Sequence, residues 1–353
     1  MSVIPGPLAS RQAAEPPLVP SPPASGGSDF LAEVLAKEFT RRWPEHAGGL
    51  DAVHRYALLP TGKLLRPRLL ALSALAVGGS LRAVLPAAVG FEAAHTGSLL
   101  HDDIIDQDAL RRGRPAVHTE FGPQMAIVAG NALFFTWFTT LAECAAHGIP
   151  HQRIVAAMET QAKAGQQICR GAALELTLAG DLEAPPDVYL EMARAKTAAL
   201  FDAACTVGAV LGGGTEHQIA ALGAFGDHLG CAFQIRDDLL PYLGDGARAG
   251  KPADSDLRNR RPTLPVLLAH QGATPAQRAV LRNCMTPGGD PWEAFRRLAG
   301  VLRATGALQA AEQRADDHAE QARHALGGIP PGEHRDALLA LAAPAGSPVT
   351  RSA

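Results

Sequence analysis

The sequence has 353 residues, of which 47% are apolar and 19% charged, and its 32 basic and 35 acidic residues give a formal net charge of −3. This composition is typical of a globular protein with a large core and excludes a disordered chain. The near balance of charge gives no reason to expect nucleic acid or an anionic membrane surface as a partner. An anionic ligand must therefore be met by a local cluster of cations.

The five cysteines are widely spaced and form no CxxC pair, which favours reduced, buried thiols of a cytoplasmic protein over disulfides or a zinc site. No basic segment followed by an apolar run opens the chain. Charged residues such as Glu92 and Asp202 interrupt the longer apolar stretches, so no membrane span is predicted. Residues 1–28, rich in Pro, Gly, Ser and Ala, are interpreted as a disordered leader and 343–353 as a flexible tail.

Residues 29–342 form the predicted domain, in which apolar residues recur at helical spacing almost throughout. Asp29 is placed to cap a first helix, and Gly and Pro mark the joints between later ones. Strand-like alternation is nearly absent, so we expect an all-α fold, a single large helical bundle with a central cavity. The later predicted helices span 66–78, 82–107, 123–146, 151–179, 187–213, 216–243, 263–271, 275–285, 291–326 and 333–342.

The first motif with chemical meaning is HDDIID, which holds Asp102, Asp103 and Asp106 near the end of the helix predicted over 82–107. Because residues four apart share a helix face, Asp102 and Asp106 should project together while Asp103 turns to one side. Two close carboxylates repel each other unless a cation joins them, and hard oxygen ligands suit Mg²⁺. A solvated acidic helix end is the alternative, and this motif alone does not decide between the two.

The second acidic motif, FQIRDDLLPYLGD, places Asp237 and Asp238 within another apolar helix. Two acidic helices that face each other across a bundle cavity can hold a diphosphate between them through metal ions. Basic side chains flank these motifs, because GKLLRP holds Lys63 and Arg66 and LRRGRP follows the first acidic motif directly. A lone basic pair is usually a solvated surface, but Lys and Arg beside carboxylates predict a site that binds metal and anion together.

Five motifs of the sequence resemble those of the trans-polyprenyl diphosphate synthase family, in the family's order. They are GKLLRP, HDDIIDQDALRRGRPAVH, YLEMARAKTAALF, FQIRDD and GKPADSDLRNRRPTLP. The resemblance is greatest to geranylgeranyl diphosphate synthases, and it implies the isoprenoid synthase fold. It further implies an enzyme that joins isopentenyl diphosphate to an allylic diphosphate, with Mg²⁺ as cofactor, three ions being bound with the diphosphate. A homodimer is also expected, and the Ala-rich helices predicted over 82–107 and 123–146 offer apolar faces for it.

The resemblance also assigns roles to individual residues. Asp102, Asp106 and Asp237 match the Mg²⁺ ligands, and Asp103 and Asp238 match supporting acids. The residues that match the allylic diphosphate site are Arg111, Lys196, Thr197, Gln234, Lys251 and Arg261. Those that match the isopentenyl diphosphate site are Lys63, Arg66, His95 and Arg112. The catalytic set implied is Asp102, Asp103, Asp106, Asp237, Lys196, Thr197 and Gln234.

The sequence departs from the family pattern at five positions, two of which are Asn131, where Asp is common, and Ala172, where Gln is common. Pro241 stands where many members carry a third Asp of the second motif, and Glu175 stands where Asp is common. Arg261 stands where Lys is usual, which keeps the charge and changes its geometry.

The product length is predicted from the residues before Asp102. Gly97 and Ser98 lie a little over one helical turn away, and one turn rises about 5.4 Å, close to one isoprene unit. Ala94 lies about one turn further down. Because all three are small, the cavity should pass C15 and end at a bulky residue such as Phe91. We expect geranylgeranyl diphosphate (C20) as the main product, with C25–C30 next.

Two other functions fit parts of this pattern. A class I terpene cyclase shares the bundle and the first acidic motif, but it has no use for the second diphosphate pocket that the basic residues imply. A regulatory subunit of a heteromeric synthase is expected to lose metal-binding Asp residues, and both Asp pairs are intact here.

Overall fold

The structure is a computed structural model that describes residues 27–243, 255–286, 288 and 290–343. Residues 1–26 of the predicted leader, most of the tail predicted over 343–353 and the candidate Lys251 lie outside the described residues. Gly27 and Ser28 belong to the first helix instead of the leader, and the expected cap Asp29 lies inside that helix. The helices are α1 (Gly27–Arg42), α2 (Leu50–Leu58), α3 (Leu65–Ala76), α4 (Leu81–Ile105), α5 (Val117–Phe121), α6 (Pro123–Glu143), α7 (His151–Leu178), α8 (Pro186–Ala193), α9 (Ala199–Gly212), α10 (Glu216–Leu243), α11 (Ser255–Arg258), α12 (Leu264–Gly272), α13 (Pro275–Cys284), α14 (Pro291–Ala304), α15 (Ala307–Ala325) and α16 (Glu333–Leu341).

Five short segments complete the secondary structure. Two strands, β1 (Leu110–Arg111) and β2 (Arg114–Pro115), pair antiparallel between α4 and α5. A π-helical turn, Arg194–Ala198, joins α8 to α9, and 3₁₀ turns follow α6 and α15. The predicted all-α bundle is confirmed, with this ribbon as the one sheet in the described part of the chain.

Proline and glycine explain where several helices begin and end. Proline occupies the first or second position of α6, α8, α12, α13 and α14, where its missing N–H costs nothing. The single helix predicted over 291–326 is divided, because Gly306 takes a left-handed φ of 73° between α14 and α15. The short helices α2, α5 and α11 carry too few periodic residues to be recognised in the sequence.

The core forms where α4 packs against α3 and α6, and where α10 packs against α9 and α15. Helices α4 and α6 cross closely at two glycines, since a Cβ added at Gly97 would lie 2.9 Å from the carbonyl oxygen of Gly130. Most of α4 is buried within the chain, so the expectation that it offers a free apolar face is wrong. In contrast, α6 turns several large apolar side chains outward.

Two helical segments meet the length and hydropathy criteria for crossing a membrane, Pro123–His147 and Pro186–Gly212. The expectation that no apolar stretch is long enough to span a membrane is therefore wrong, as judged by length and composition alone. In their most apolar windows, 39% and 61% of the residues are buried inside the protein, and core helices of globular proteins meet the same criteria.

Candidate active site

A cavity of about 220 Å³ opens between the C-terminal half of α4, the π-helical turn, α10 and the segment that includes α11. The structure brings residues of both acidic motifs and several predicted cations to this one cavity. The sequence-predicted residues that line it are Arg66, His95, Ser98, Asp102, Arg111, Lys196, Thr197, Gln234, Asp237, Asp238 and Arg261.

Carboxylates and cations alternate at one side of the cavity, which Asp102, Glu175, Lys196 and Arg261 line and the buried Asp106 does not. Lys196 Nζ lies 3.7 Å from Asp102 Oδ1 and 2.6 Å from Glu175 Oε2. Glu175 also lies 3.1 Å from the guanidinium of Arg261, which donates to Asp106 Oδ1 at 2.5 Å. We call these five residues the charge chain. Its two cations separate three carboxylates, which reduces the repulsion between Asp102 and Asp106.

The charge chain keeps its cations protonated. Burial alone would lower the pKa of Lys196, but Asp102 and Glu175 together raise it above its ordinary value. Burial alone would likewise lower the pKa of Arg261, but Glu175 and Asp106 raise it above its ordinary value. Both side chains are therefore positive at neutral pH.

The second acidic motif puts its two carboxylates in different surroundings. Both line the cavity, but Asp238 is also buried and accepts hydrogen bonds from the Tyr189 hydroxyl at 2.5 Å and from Gln234 Nε2 at 2.8 Å. Gln234 Oε1 in turn accepts from Thr197 Oγ1 at 2.6 Å. Burial raises the pKa of Asp238 well above its ordinary value. Asp238 therefore orients Gln234 and, through it, Thr197.

The π-helical turn explains how Lys196 and Thr197 reach different partners. Such a turn holds one residue more than an α-helical turn and is frequent at functional sites. Lys196 contacts Asp102 of α4 and Glu175 of α7, while the next residue contacts Gln234 of α10. The sequence predicted one uniform helix over 187–213, because helical periodicity gives no sign of a single extra residue.

The ribbon β1–β2 presents Arg111 at the cavity. Arg112 and Gly113 have positive φ values of 53° and 73°, as a tight two-residue turn between antiparallel strands requires. Arg111 donates to both carboxylate oxygens of Asp103, with Nε 2.9 Å from Oδ1. Asp103 is buried and does not line the cavity, so it holds Arg111 beside the site.

Of the four residues matched to the isopentenyl diphosphate site, two line the cavity and two lie outside it, at what we call the outer level. Arg66 and His95 line the cavity. Arg112 lies outside it against the loop before α3, where a Cβ added at Gly62 would come within 2.7 Å of the Arg112 guanidinium. Lys63, next along that loop, is exposed to solvent. The loop therefore brings Lys63 and Arg112 together at the outer level.

Arg66 is a buried cation with an unused donor. Its guanidinium stacks 4.7 Å from the ring centroid of Phe201, and its Nε finds no acceptor among the residues that the structure describes. Burial lowers the pKa of Arg66 to about 10 against the opposing effect of Glu92, so the side chain stays charged at neutral pH. Burial, and then Arg66 and Arg112, hold the pKa of His95 well below its ordinary value, so this imidazole is neutral.

The carboxylates of the cavity suit a hard cation. Asp102 and Asp237 present oxygen donors to the cavity from two different helices, and oxygen is the donor that Mg²⁺ prefers. Among the described residues, no three His, Cys, Asp or Glu side chains lie close enough to hold a metal by themselves. Such a donor set fits an ion that takes one or two protein carboxylates and completes its shell with substrate oxygens and water.

Of the four residues predicted to line the product-length pocket, Ser98 alone lines the described cavity. Phe91 and Ala94 are buried in the core beneath it. Gly97, five residues before Asp102, meets Gly130 of α6, and its lack of a side chain permits the close helix crossing. Its place in the product-length pocket stays a prediction.

Two residues of the site escaped the sequence reasoning or received no role there. Tyr189 belongs to the motif YLEMARAKTAALF, yet nothing in the motif indicates that its hydroxyl meets Asp238. Glu175 was recognised as a departure from the family pattern, and the structure shows that it joins Lys196 to Arg261. Pro241 lines the cavity within α10.

An all-α bundle whose cavity combines two aspartate-bearing helices with interleaved cations is an isoprenoid synthase by architecture. Residues 49–297 match the family described as polyprenyl synthetase. The chain is 37% identical over 304 residues to the geranylfarnesyl diphosphate synthase of Aeropyrum pernix, an alignment that covers 85% of this chain and 93% of that protein.

Two solved structures are similar over most of their length. One is a polyprenyl synthase from Caulobacter crescentus complexed with calcium and isoprenyl diphosphate, with 33% identity, a TM-score of 0.81 and coverage of 88% of this chain and 92% of that one. The other is a geranylgeranyl pyrophosphate synthase from Corynebacterium glutamicum complexed with isoprenyl diphosphate and magnesium, with 29% identity, a TM-score of 0.81 and coverage of 89% and 98%. The chain belongs to the polyprenyl synthetase family.

Proposed function

We propose that the protein is a trans-prenyltransferase that joins isopentenyl diphosphate head-to-tail to an allylic diphosphate and releases inorganic diphosphate. The observation that carries this proposal is the charge chain on one cavity with Asp237, because cleavage of an allylic C–O bond requires that the leaving diphosphate be neutralised. Membership of the polyprenyl synthetase family supports the same class of reaction.

The allylic diphosphate would bind at the charge chain. Bound Mg²⁺, held by Asp102, Asp106 and Asp237, would supply the positive charge that makes the diphosphate a good leaving group. Lys196 and Arg261 already adjoin the first two of these aspartates, so they are placed to donate to the diphosphate oxygens. Arg111, held by Asp103, would contribute a further cation at the cavity wall, and Lys251 is proposed for the same ligand from its motif.

The dipoles of Thr197 and Gln234 suit the second stage of the reaction. Both side chains line the cavity, and their oxygens are oriented by the hydrogen bonds that end at Asp238. Preorganised oxygens of this kind favour a carbocation without reorganisation at the moment of reaction. Isopentenyl diphosphate would be held by Arg66, His95 and the outer pair, Lys63 and Arg112. Its double bond then attacks the carbocation, and a proton is lost.

The direct test is incubation with labelled isopentenyl diphosphate and, separately, allylic primers of one, two and three isoprene units. Chromatography of the products should show labelled, elongated prenyl diphosphates. A cyclic or linear hydrocarbon made from the allylic primer alone would identify a terpene cyclase. The absence of any product with all primers would contradict the proposal.

Substitution should separate the two diphosphate pockets. Lys63→Ala should raise the KM for isopentenyl diphosphate, and Arg111→Ala should raise the KM for the allylic primer. A hydrogen bond to a charged group is worth about 1.5–3 kcal/mol, which corresponds to a change of roughly 10- to 150-fold. Initial rates with one substrate saturating and the other varied give the two KM values for each variant.

The control for this pair is Lys37→Ala, which removes an exposed lysine that pairs with Glu33 on α1. It should leave both KM values unchanged. An unchanged KM for isopentenyl diphosphate in Lys63→Ala would refute the assignment of the outer pair.

We propose geranylgeranyl diphosphate as the main product. The small side chain of Ser98 at the cavity supports a chain longer than C15. The names of curated relatives do not narrow this choice, because they range from a farnesyl diphosphate synthase of Mycobacterium bovis to an octaprenyl diphosphate synthase of Escherichia coli. Product length therefore depends on residues that differ among proteins of closely similar fold.

We also propose a homodimer that buries the outer face of α6. Ile127, Val128 and Phe135 of this helix are exposed to 46%, 53% and 72%, and Val155 and Met158 of α7 are exposed as well. Val128 and Phe135 are seven residues apart and share one helix face. Light scattering at micromolar concentration should give the mass of two chains, and Phe135→Asp should shift the mass towards one chain.

The matched control is Trp292→Asp, because Trp292 is 55% exposed but belongs to α14 and not to α6 or α7. It should retain the mass of two chains. A wild-type mass of one chain would overturn the homodimer.

A further inference from the structure

A buried carboxylate outside the predicted site joins the first acidic motif to a distant part of the chain. Asp108 lies two residues beyond Asp106 and is 1% exposed. Its Oδ1 accepts a hydrogen bond from Ser255 Oγ at 3.0 Å, and its carboxylate pairs with the guanidinium of Arg258. These partners are the first and last residues of α11, 147 and 150 positions along the chain.

The segment that follows α11 makes further contacts with the same motif. Asn259 Nδ2 lies 3.4 Å from the carbonyl oxygen of Asp106, and Arg261 donates to the Asp106 carboxylate at 2.5 Å. The Arg261 N–H also donates to the carbonyl oxygen of Asp256. Residues 255–261 thus meet the first motif at their beginning, middle and end, and we call them the docked segment.

The other side of α11 is held by apolar packing. Leu257 is buried in a cluster with residues of α12, α13 and α14, such as Val266 and Phe295. This packing fixes the distance of the helix from the core, but apolar contacts are not directional. The two hydrogen-bonded contacts at Asp108 are directional, so they fix how α11 is rotated about its own axis. The direction in which the Arg261 side chain points depends on that rotation.

We propose that Asp108 is a positioning residue for the allylic diphosphate, which acts by docking residues 255–261 on the first acidic motif so that Arg261 joins the charge chain. Asp108 does not line the cavity, so it acts through Arg261 and not by touching the ligand. The inference rests on the proposed function for the identity of that ligand. The docking itself is independent of the reaction and can be measured without it.

Cleavage by trypsin under native conditions measures the docking. The docked segment contains two bonds that trypsin accepts, after Arg258 and after Arg260. In Asp108→Asn, both should be cut at least about tenfold faster than in the wild-type protein, because loss of a buried charge pair favours local opening. Mass spectrometry of the fragments gives the rate at each bond.

The control variant is Glu38→Gln, which also neutralises a buried carboxylate held by two arginines, Arg41 and Arg42 of α1. It should leave the two cleavage rates unchanged. Arg258→Met removes the partner instead and keeps the bond after Arg260. It should accelerate cleavage there, and it serves in place of Asp108→Asn if that variant does not fold.

Steady-state kinetics test the consequence for the ligand. Asp108→Asn should raise the KM for the allylic primer by about tenfold or more and leave the KM for isopentenyl diphosphate within about twofold. The double variant Asp108→Asn/Arg258→Met should be no worse than the more impaired single variant, because both remove one interaction.

Unchanged cleavage in both Asp108→Asn and Arg258→Met would overturn the docking, and equal increases in both KM values would overturn the specific effect on the allylic ligand. A wild-type protein without prenyltransferase activity would refute the proposed function, and the cleavage rates would still decide the docking.

Discussion

Asp102→Ala and Asp237→Ala should each lower kcat by on the order of 10²–10³ or more while the helical content stays that of the wild-type protein. The two carboxylates face one cavity from α4 and α10, and we propose that they hold Mg²⁺ against the leaving diphosphate. Without either one, the charge that develops on the diphosphate is met by fewer cations, and ionisation becomes slower. Single-turnover rates at saturating Mg²⁺ and circular dichroism measure the two quantities.

A matched control is Asp316→Ala, which removes a partly exposed carboxylate paired with Arg236 at 2.7 Å on α15. It should keep kcat within about twofold, because exposed ion pairs contribute about 1 kcal/mol or less. Activity of the wild-type protein should disappear in excess EDTA and return with Mg²⁺ or Mn²⁺. Full activity in EDTA would refute the metal site, as would aspartate variants as active as the control.

Ser98→Phe should shift the main product from C20 to C15. Ser98 lines the cavity one turn of α4 below Asp102, so an aromatic ring there fills the space into which the growing chain extends. The diphosphate contacts lie nearer the end of the helix and are left in place. Chromatography of dephosphorylated products gives the distribution, and Ser98→Ala, which keeps the position small, should still yield C20.

Gly97 provides a contrasting variant. Because an added Cβ would lie 2.9 Å from the Gly130 carbonyl oxygen, Gly97→Ala should lower the melting temperature without redirecting product length. A wild-type product of C15, or C20 as the main product of Ser98→Phe, would show that residue 98 does not border the chain pocket.

The sequence predicted most of the bundle and much of the site, because both depend on local patterns. Helices such as α6 and α13 begin at Pro123 and Pro275, as the punctuation indicated. Asp102 and Asp237 were predicted to face one cavity because a carboxylate within an apolar helix is costly unless it is paired or binds a metal ion. These inferences require only the residue type, the helical period and the order of motifs.

The remainder depends on contacts between elements, which no local pattern contains. Helical spacing gives the position of Gly97 along α4, but it does not reveal that this residue meets Gly130 of α6. Arg261 was expected to bind a ligand, and its contacts with Asp106 and Glu175 could be seen only once three separate segments were brought together. The same holds for Tyr189 and Asp238.

The π-helical turn also changes which residues of α8 and α9 lie on the same side of the helix. Tyr189 is followed by the buried Met192 and Ala193, three and four residues on, whereas the next buried position, Ala198, comes five residues after Ala193. Since successive residues of an α-helix are rotated by about 100°, the extra residue shifts the phase of every later position by that angle. A helical wheel drawn through Pro186–Gly212 without this phase shift would put Tyr189 and Gly208 on the wrong sides relative to each other, so α8 and α9 must be projected as two separate wheels.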